Sequence, residues 1–169
     1  LLITILLGCV AALLVVSLAA AVVSRRRFAT PGVYLAIAVI CAAATAAAAF
    51  GPRLGSATTL PLGLPWIGAH FRIDALSALF LLIVNLGGAA ASIYAVGYGR
   101  HEETPGRVLP FVPAFIAGMN LVLLADDAFS FLLAWELMSV TSWALVIAHH
   151  SSESNRRAGY IYLVMASFG

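Results

Sequence analysis

Leu1–Ser24 holds no charged side chain, and four further apolar runs follow it: Gly32–Phe50, Ala75–Val96, Val108–Ala125 and Ala128–His149. About 20 apolar residues at a rise of about 1.5 Å each cross the hydrocarbon layer as a helix. Five such runs predict five complete transmembrane helices. A sixth run opens at Ala158 and continues to the last residue, Gly169. Only 9% of the residues are charged, against about a quarter in soluble domains. A soluble globular domain, a disordered chain and a nucleic-acid-binding chain are all excluded by that scarcity. The expected fold is an all-α, polytopic transmembrane helix bundle with six helices visible and the last one truncated. Leu1 and Gly169 both lie inside apolar runs, so the chain is expected to be a fragment. The basic triplet Arg25-Arg26-Arg27 follows the first run instead of preceding it. A retained helix fits that order better than a cleaved signal peptide.

Every basic residue is arginine. When loops alternate between the two faces, Arg25, Arg26, Arg27, Arg100, Arg107, Arg156 and Arg157 share one side, and Arg53 and Arg72 the other. The positive-inside rule places the larger group in the cytoplasm. The N-terminus is then outside, as are the segment Gly51–Arg72 and Asp126-Asp127.

Pro52, Pro61, Gly63, Pro65 and Gly68 interrupt helix formation in that outer segment. From Ile67 to Asp74 apolar and polar side chains alternate, the period of a half-buried strand. A short extended hairpin is therefore expected between helices 2 and 3. Asp74, with Ser77 one turn on, suits the start of helix 3, because a carboxylate there accepts free backbone N–H groups. Asp126-Asp127 link helices 4 and 5 so tightly that the two must be antiparallel neighbours, with the acids capping helix 5. Small residues, Ala42–Ala49 in helix 2 and Gly87-Gly88-Ala89-Ala90-Ala91 in helix 3, predict close helix packing.

Cys9 and Cys41 lie in separate apolar runs with no CxxC or His/Cys cluster, so neither zinc nor iron–sulfur ligation is expected. Phosphate-binding, dinucleotide-binding and nucleophile-elbow motifs are absent from the sequence. The one charged residue inside a complete span is Glu136. It lies eight residues beyond Ala128, about 12 Å deep in a core about 30 Å thick. An acid at that depth costs on the order of 3 kcal/mol and faces a bundle interior or a wet cavity. Burial favours its neutral form and a nearby cation its charged form. A group balanced between the two can load and release a proton. The alternative is a structural tie, hydrogen-bonded to Asn85 or Asn120. Ser139, on the same helix face, and His149 and His150, at the cytoplasmic end, are candidate members of a proton path. His149 is about 20 Å from Glu136 along the axis, so intermediates or water would be needed. Two interfacial imidazoles at the end of a helix dipole are the plainer reading of that pair.

Ile73-Asp74-Ala75-Leu76-Ser77, Tyr98-Gly99-Arg100, Leu124-Ala125-Asp126-Asp127 and, above all, Ala134-Trp135-Glu136-Leu137 with Thr141-Ser142 resemble the antiporter-like proton-translocating membrane subunits of complex I, Mrp antiporters and membrane-bound hydrogenases. Arg107-Val108-Leu109-Pro110-Phe111, Gly118-Met119-Asn120-Leu121, Ala148-His149-His150 and Ala158-Gly159-Tyr160 are most similar to the large membrane subunit of hydrogenase 4 and formate hydrogenlyase. The resemblance implies inverted five-helix repeats with broken helices at mid-membrane. It makes residues 1–109 an N-terminal three-helix unit with the hairpin and a cytoplasmic loop, and residues 110–169 the start of the translocating domain. It assigns proton translocation to Glu136, whose partner in the family is a lysine on a later, broken helix outside this sequence. It implies a non-catalytic multi-pass subunit of the cell inner (plasma) membrane, working beside membrane and peripheral partner subunits. Those partners would carry the nickel–iron and iron–sulfur centres, and this chain no cofactor. The translocated ion stays open between H+ and Na+. An Mrp-type cation/proton antiporter subunit and a purely structural membrane anchor are the alternatives in function.

Overall fold

A computed structural model describes residues 2–24, 29–51, 57–61, 68–99, 105–148 and 153–168. The chain forms α1 (Leu2–Val23), α2 (Ala29–Phe50), strands β1 (Ala57–Leu60) and β2 (Ala69–Arg72), α3 (Ala75–Tyr98), a 3-10 turn (Pro105–Arg107), α4 (Phe111–Leu124), α5 (Ala128–Val146) and α6 (Glu153–Phe168). Five of these segments are long and apolar enough to cross a membrane. The all-α polytopic bundle expected from the apolar runs is the observed architecture.

Helix ends follow local chemistry. Pro31 and Pro113 each occupy the third position of their helix, where a backbone N–H would have no intrahelical acceptor. The expected start of α4 at Val108 moves to Phe111. Pro110 has no N–H to continue an α-helical ladder, and the chain closes a 3-10 turn before it. α5 ends three residues short of His149, where the Ala148 N–H closes back on the Leu145 carbonyl at 3.2 Å. α6 begins at Glu153, five residues before the apolar run. Its first turns are polar, and Glu153 complements the helix dipole. Arg156 and Arg157 consequently sit on a helix and not in a loop. Arg25, Arg26, Arg27, Arg53, Arg100 and Ile67 lie outside the described residues.

Part of the two small-residue stretches packs as expected between α2 and α3, while Ala42, Ala43, Ala46, Ala90 and Ala91 are exposed. Ala44 and Ala48 are almost fully buried, and Gly88 sits against Cys41, where an added Cβ would lie 3.2 Å from its sulfur. Gly87 meets nothing. α4 and α5 also approach closely. A Cβ on Gly118 would lie 3.0 Å from both Cα and N of Met138, so the two backbones touch there.

β1 and β2 form an antiparallel hairpin, pairing Ala57 with Arg72 and Leu60 with Ala69. Gly68 turns the chain into β2 at φ 73°, and a side chain there would meet the Leu60 carbonyl at 2.9 Å. Only glycine adopts that conformation without penalty. Ala69 and Phe71 are buried while His70 and Arg72 face outward, as the alternation predicts. Leu2, Leu6, Leu81 and Leu124 surround the buried side of the hairpin end of the bundle. A second cluster, centred on Leu13, Ile37, Cys41 and Ala117, fills the other end.

Candidate functional site

α5 is positioned from its N-terminal end. Asp127 caps it, accepting hydrogen bonds from the Ser130 N–H at 2.8 Å and the Ser130 hydroxyl at 2.6 Å. A third donor is the backbone N–H of His70 in the hairpin, at 2.8 Å. The Ser130 hydroxyl, the Ser130 N–H and then the His70 N–H hold the Asp127 carboxyl down at about 2. Asp126 does not cap. Its Oδ1 accepts from Arg72 Nε at 2.7 Å, and its N–H donates to the His70 carbonyl at 2.9 Å. Phe71 and Ala125 form an antiparallel bridge. The α4–α5 connection therefore extends the hairpin as a third extended segment. Asp74 caps α3 in a reciprocal box with Ser77, as its spacing predicts, and the Ser77 N–H and hydroxyl hold its carboxyl below the ordinary range.

Glu136 lies nine residues beyond the Asp127 cap, on the side of α5 turned away from α4. Ala134 and Met138 are two residues to either side of it, about 200° around the helix. Met138 meets Gly118 of α4, and Ala134 is buried. Glu136 instead shares the exposed side with Phe129, Leu132, Leu133 and Val140. It opens into a cleft of about 610 Å³ between α5 and α1. Leu7, Val10, Ala11 and Leu14 of α1 make the facing wall, and Leu121 of α4 contributes to the lining. Leu60, Ala69 and Phe71 of the hairpin complete the lining at the outer end. Among the described residues, no side chain forms a hydrogen bond or ion pair with Glu136. Its carboxyl is the one ionisable group in a cleft whose only other polar lining residue is Ser130.

The asparagines considered as alternative partners are committed to each other. Asn85 Nδ2 donates to Asn120 Oδ1 at 2.6 Å, and Asn120 Nδ2 donates back to Asn85 Oδ1 at 3.3 Å. Each amide also bonds a carbonyl of its own helix, those of Leu81 and Ile116, at 2.8 Å. The tie between α3 and α4 is made without Glu136. Ser139, one turn below Glu136, is buried. Ser142 accepts from the Tyr162 hydroxyl at 2.9 Å, joining α5 to α6. His149 and His150 lie outside the described residues.

Two features escaped the sequence reading: the reciprocal amide pair and the Arg72–Asp126 contact. Both join residues far apart in the chain, and neither has a local signal. β1 carried a weak one in the β-branched pair Thr58-Thr59.

No family model matches the chain. Similar proteins include an uncharacterised protein of Mycobacterium tuberculosis (strain ATCC 25618 / H37Rv), 40% identical over 107 residues, 63% of this chain and 17% of that protein. Hydrogenase-4 component B of Escherichia coli (strain K12) is 38% identical over 100 residues, 58% of this chain and 15% of its own length. A putative antiporter subunit, mnhA2, of Staphylococcus aureus (strain MRSA252) is 29% identical over 117 residues, 65% of this chain and 14% of its own. The chain thus matches about a sixth of the length of these curated relatives. The resemblance to antiporter-like membrane subunits, read above from the motifs, is borne out by these relatives. Together with the five apolar helices, they make the chain a multi-pass membrane protein.

Proposed function

We propose that this chain forms part of a proton-translocating membrane subunit of a redox-driven hydrogenase or respiratory complex, with Glu136 as the group that carries the proton. The observation that supports this reading is a carboxyl group well inside a helix long and apolar enough to cross a membrane, opening into a largely apolar cleft and turned away from α4. Acids inside spans are costly and tend to serve proton or ion paths. The match to hydrogenase-4 component B favours a hydrogenase setting. Residues 110–169 then open the translocating unit and residues 1–109 buttress it. The subunit sits in the cell inner membrane beside membrane and peripheral partners that carry the redox centres.

In this reading an apolar, uncharged surround favours a neutral acid and a cation favours a carboxylate, so a cation brought into the cleft by the remainder of the subunit and withdrawn again is what would drive proton exchange at this position. Ser139, His149 and His150 are the candidate groups that pass protons from the cytoplasmic side to Glu136.

The test is Glu136→Gln in the full complex, with redox-linked proton transfer measured in sealed vesicles. Transfer is expected to fall to the uncoupled background while electron transfer chemistry persists. Undiminished transfer would remove Glu136 from the mechanism and leave a structural anchor. The match to the mnhA2 antiporter subunit supports a second reading, cation/proton exchange. That reading requires sodium-dependent exchange in the absence of any electron donor.

A further inference from the structure

We propose that the β1–β2 hairpin is the outer seal of the Glu136 cleft, with Phe71 as its plug, so that protons do not reach Glu136 across the hairpin face. Three observations carry this. First, Leu60, Ala69 and Phe71, the inward side chains of the hairpin, line the same cleft as Glu136. Ala69 and Phe71 are each 7% exposed, so the hairpin presents a packed apolar surface to that end of the cleft. Second, the hairpin is fastened to the helix that carries Glu136. The Phe71–Ala125 bridge, the Asp126 N–H to the His70 carbonyl, the His70 N–H to Asp127 and the Arg72–Asp126 ion pair all join β2 to the start of α5. Third, the polar side chains of β2 are directed away from the cleft. Arg72 is engaged by Asp126 and Asp74, and the His70 ring stands 3.7 Å from Asp127, whose hydrogen-bond partner Ser130 is the one polar side chain besides Glu136 in the lining and is committed to that carboxylate.

A seal at one end has a definite consequence for a translocating carboxyl group. An acid open to both sides at once would short-circuit the gradient. With its outer end blocked by an aromatic ring, Glu136 exchanges protons from the opposite direction until the hairpin or the facing wall of α1 shifts. Phe71 acts through access to Glu136 and is a positioning residue. This inference rests on the proposed role of Glu136 for its meaning, but its test reads accessibility and not transport.

The experiment uses the full-length subunit in sealed vesicles with the hairpin face outward. A water-soluble carbodiimide carrying a quaternary ammonium group is added outside, and modification of Glu136 is followed by mass spectrometry of its peptide. In the wild type Glu136 is expected to be protected. Phe71→Ala is expected to raise the modification rate by about tenfold, the factor corresponding to ~1.4 kcal/mol of lost closing free energy. Phe71→Leu, which keeps the plug apolar and bulky, is expected to restore protection. A second variant, Arg72→Gln with Asp126→Asn, loosens the fastening through exposed side chains at little cost in stability. It is expected to raise the rate several-fold, and serves if Phe71→Ala fails to assemble. Equal rates in the wild type and these variants, whether all react or none does, would overturn the seal. Glu136→Gln losing proton transfer alongside such equal rates would sink the seal alone. Protection that depends on Phe71 with transfer intact in Glu136→Gln would sink the carrier role alone.

Discussion

Replacing either asparagine of the buried amide pair should cost more than replacing both. Asn85 is fully buried and Asn120 is 3% exposed, so neither amide has water to fall back on. Asn85→Leu removes both interhelical hydrogen bonds. It leaves Asn120 Nδ2 bonded to the Ile116 carbonyl but strands Asn120 Oδ1 in an apolar surround. An interhelical hydrogen bond in a membrane is worth about 0.6 kcal/mol on average and up to ~1.7. An orphaned buried acceptor adds about 1–3 kcal/mol. Each single leucine variant is therefore expected to lose about 2 kcal/mol. The double leucine variant strands nothing and fills the space with hydrocarbon of similar size, so its loss is expected to be no more than about 1 kcal/mol. The double-mutant cycle then gives a coupling of roughly 3 kcal/mol. Equilibrium unfolding of the full-length protein in bicelles, with all four variants on one scale, measures it. If the double variant loses the sum of the two single losses, the reciprocal pair does not exist as described.

Gly118→Val is expected to lose about 1–3 kcal/mol, because its Cβ meets the Met138 backbone and the helices must part. Gly87→Ala, which meets nothing, should leave thermal unfolding unchanged and serves as its control. Gly68→Ala is expected to cost about 1 kcal/mol through its positive φ, visible as faster hydrogen exchange confined to β1 and β2. Asp127 titrates at about 2 when folded, below its ordinary 3.8. Its stabilising contribution is thus full above about pH 4 and disappears as pH falls through about 2. Asp127→Asn should lower stability at neutral pH and flatten that acid limb in a pH series of unfolding curves; an unchanged limb would refute the assignment.

The six helices and the hairpin were legible because each rests on a local rule. Apolar runs need only length, β2 shows its alternation over eight residues, and Asp74 with Ser77 is a capping pair within one turn. Boundaries were less legible where polarity and helicity part company. Glu153 to Arg157 are hydrophilic yet helical, and Pro110 displaces the start of α4 although its surroundings are apolar. The depth of Glu136 could be counted from Ala128, but its direction could not. Which side of α5 meets α4 depends on Gly118 and Met138, twenty residues apart in the sequence and in contact only after folding. The partition of duties between Asp126 and Asp127 was hidden for the same reason, since Arg72 reaches Asp126 from across the hairpin.

The contact at Gly118 has a mechanical corollary. With backbone against backbone at this crossing, and a connection of only a few residues joining them, α4 and α5 have no compressible side-chain layer at Gly118 and are held as a stiff pair there. A pair held in this way cannot turn its acidic edge independently. On the proposed role of Glu136, the parts that alternate its surroundings are those facing that edge, α1 and the remainder of the subunit, while the carboxyl group itself stays nearly still.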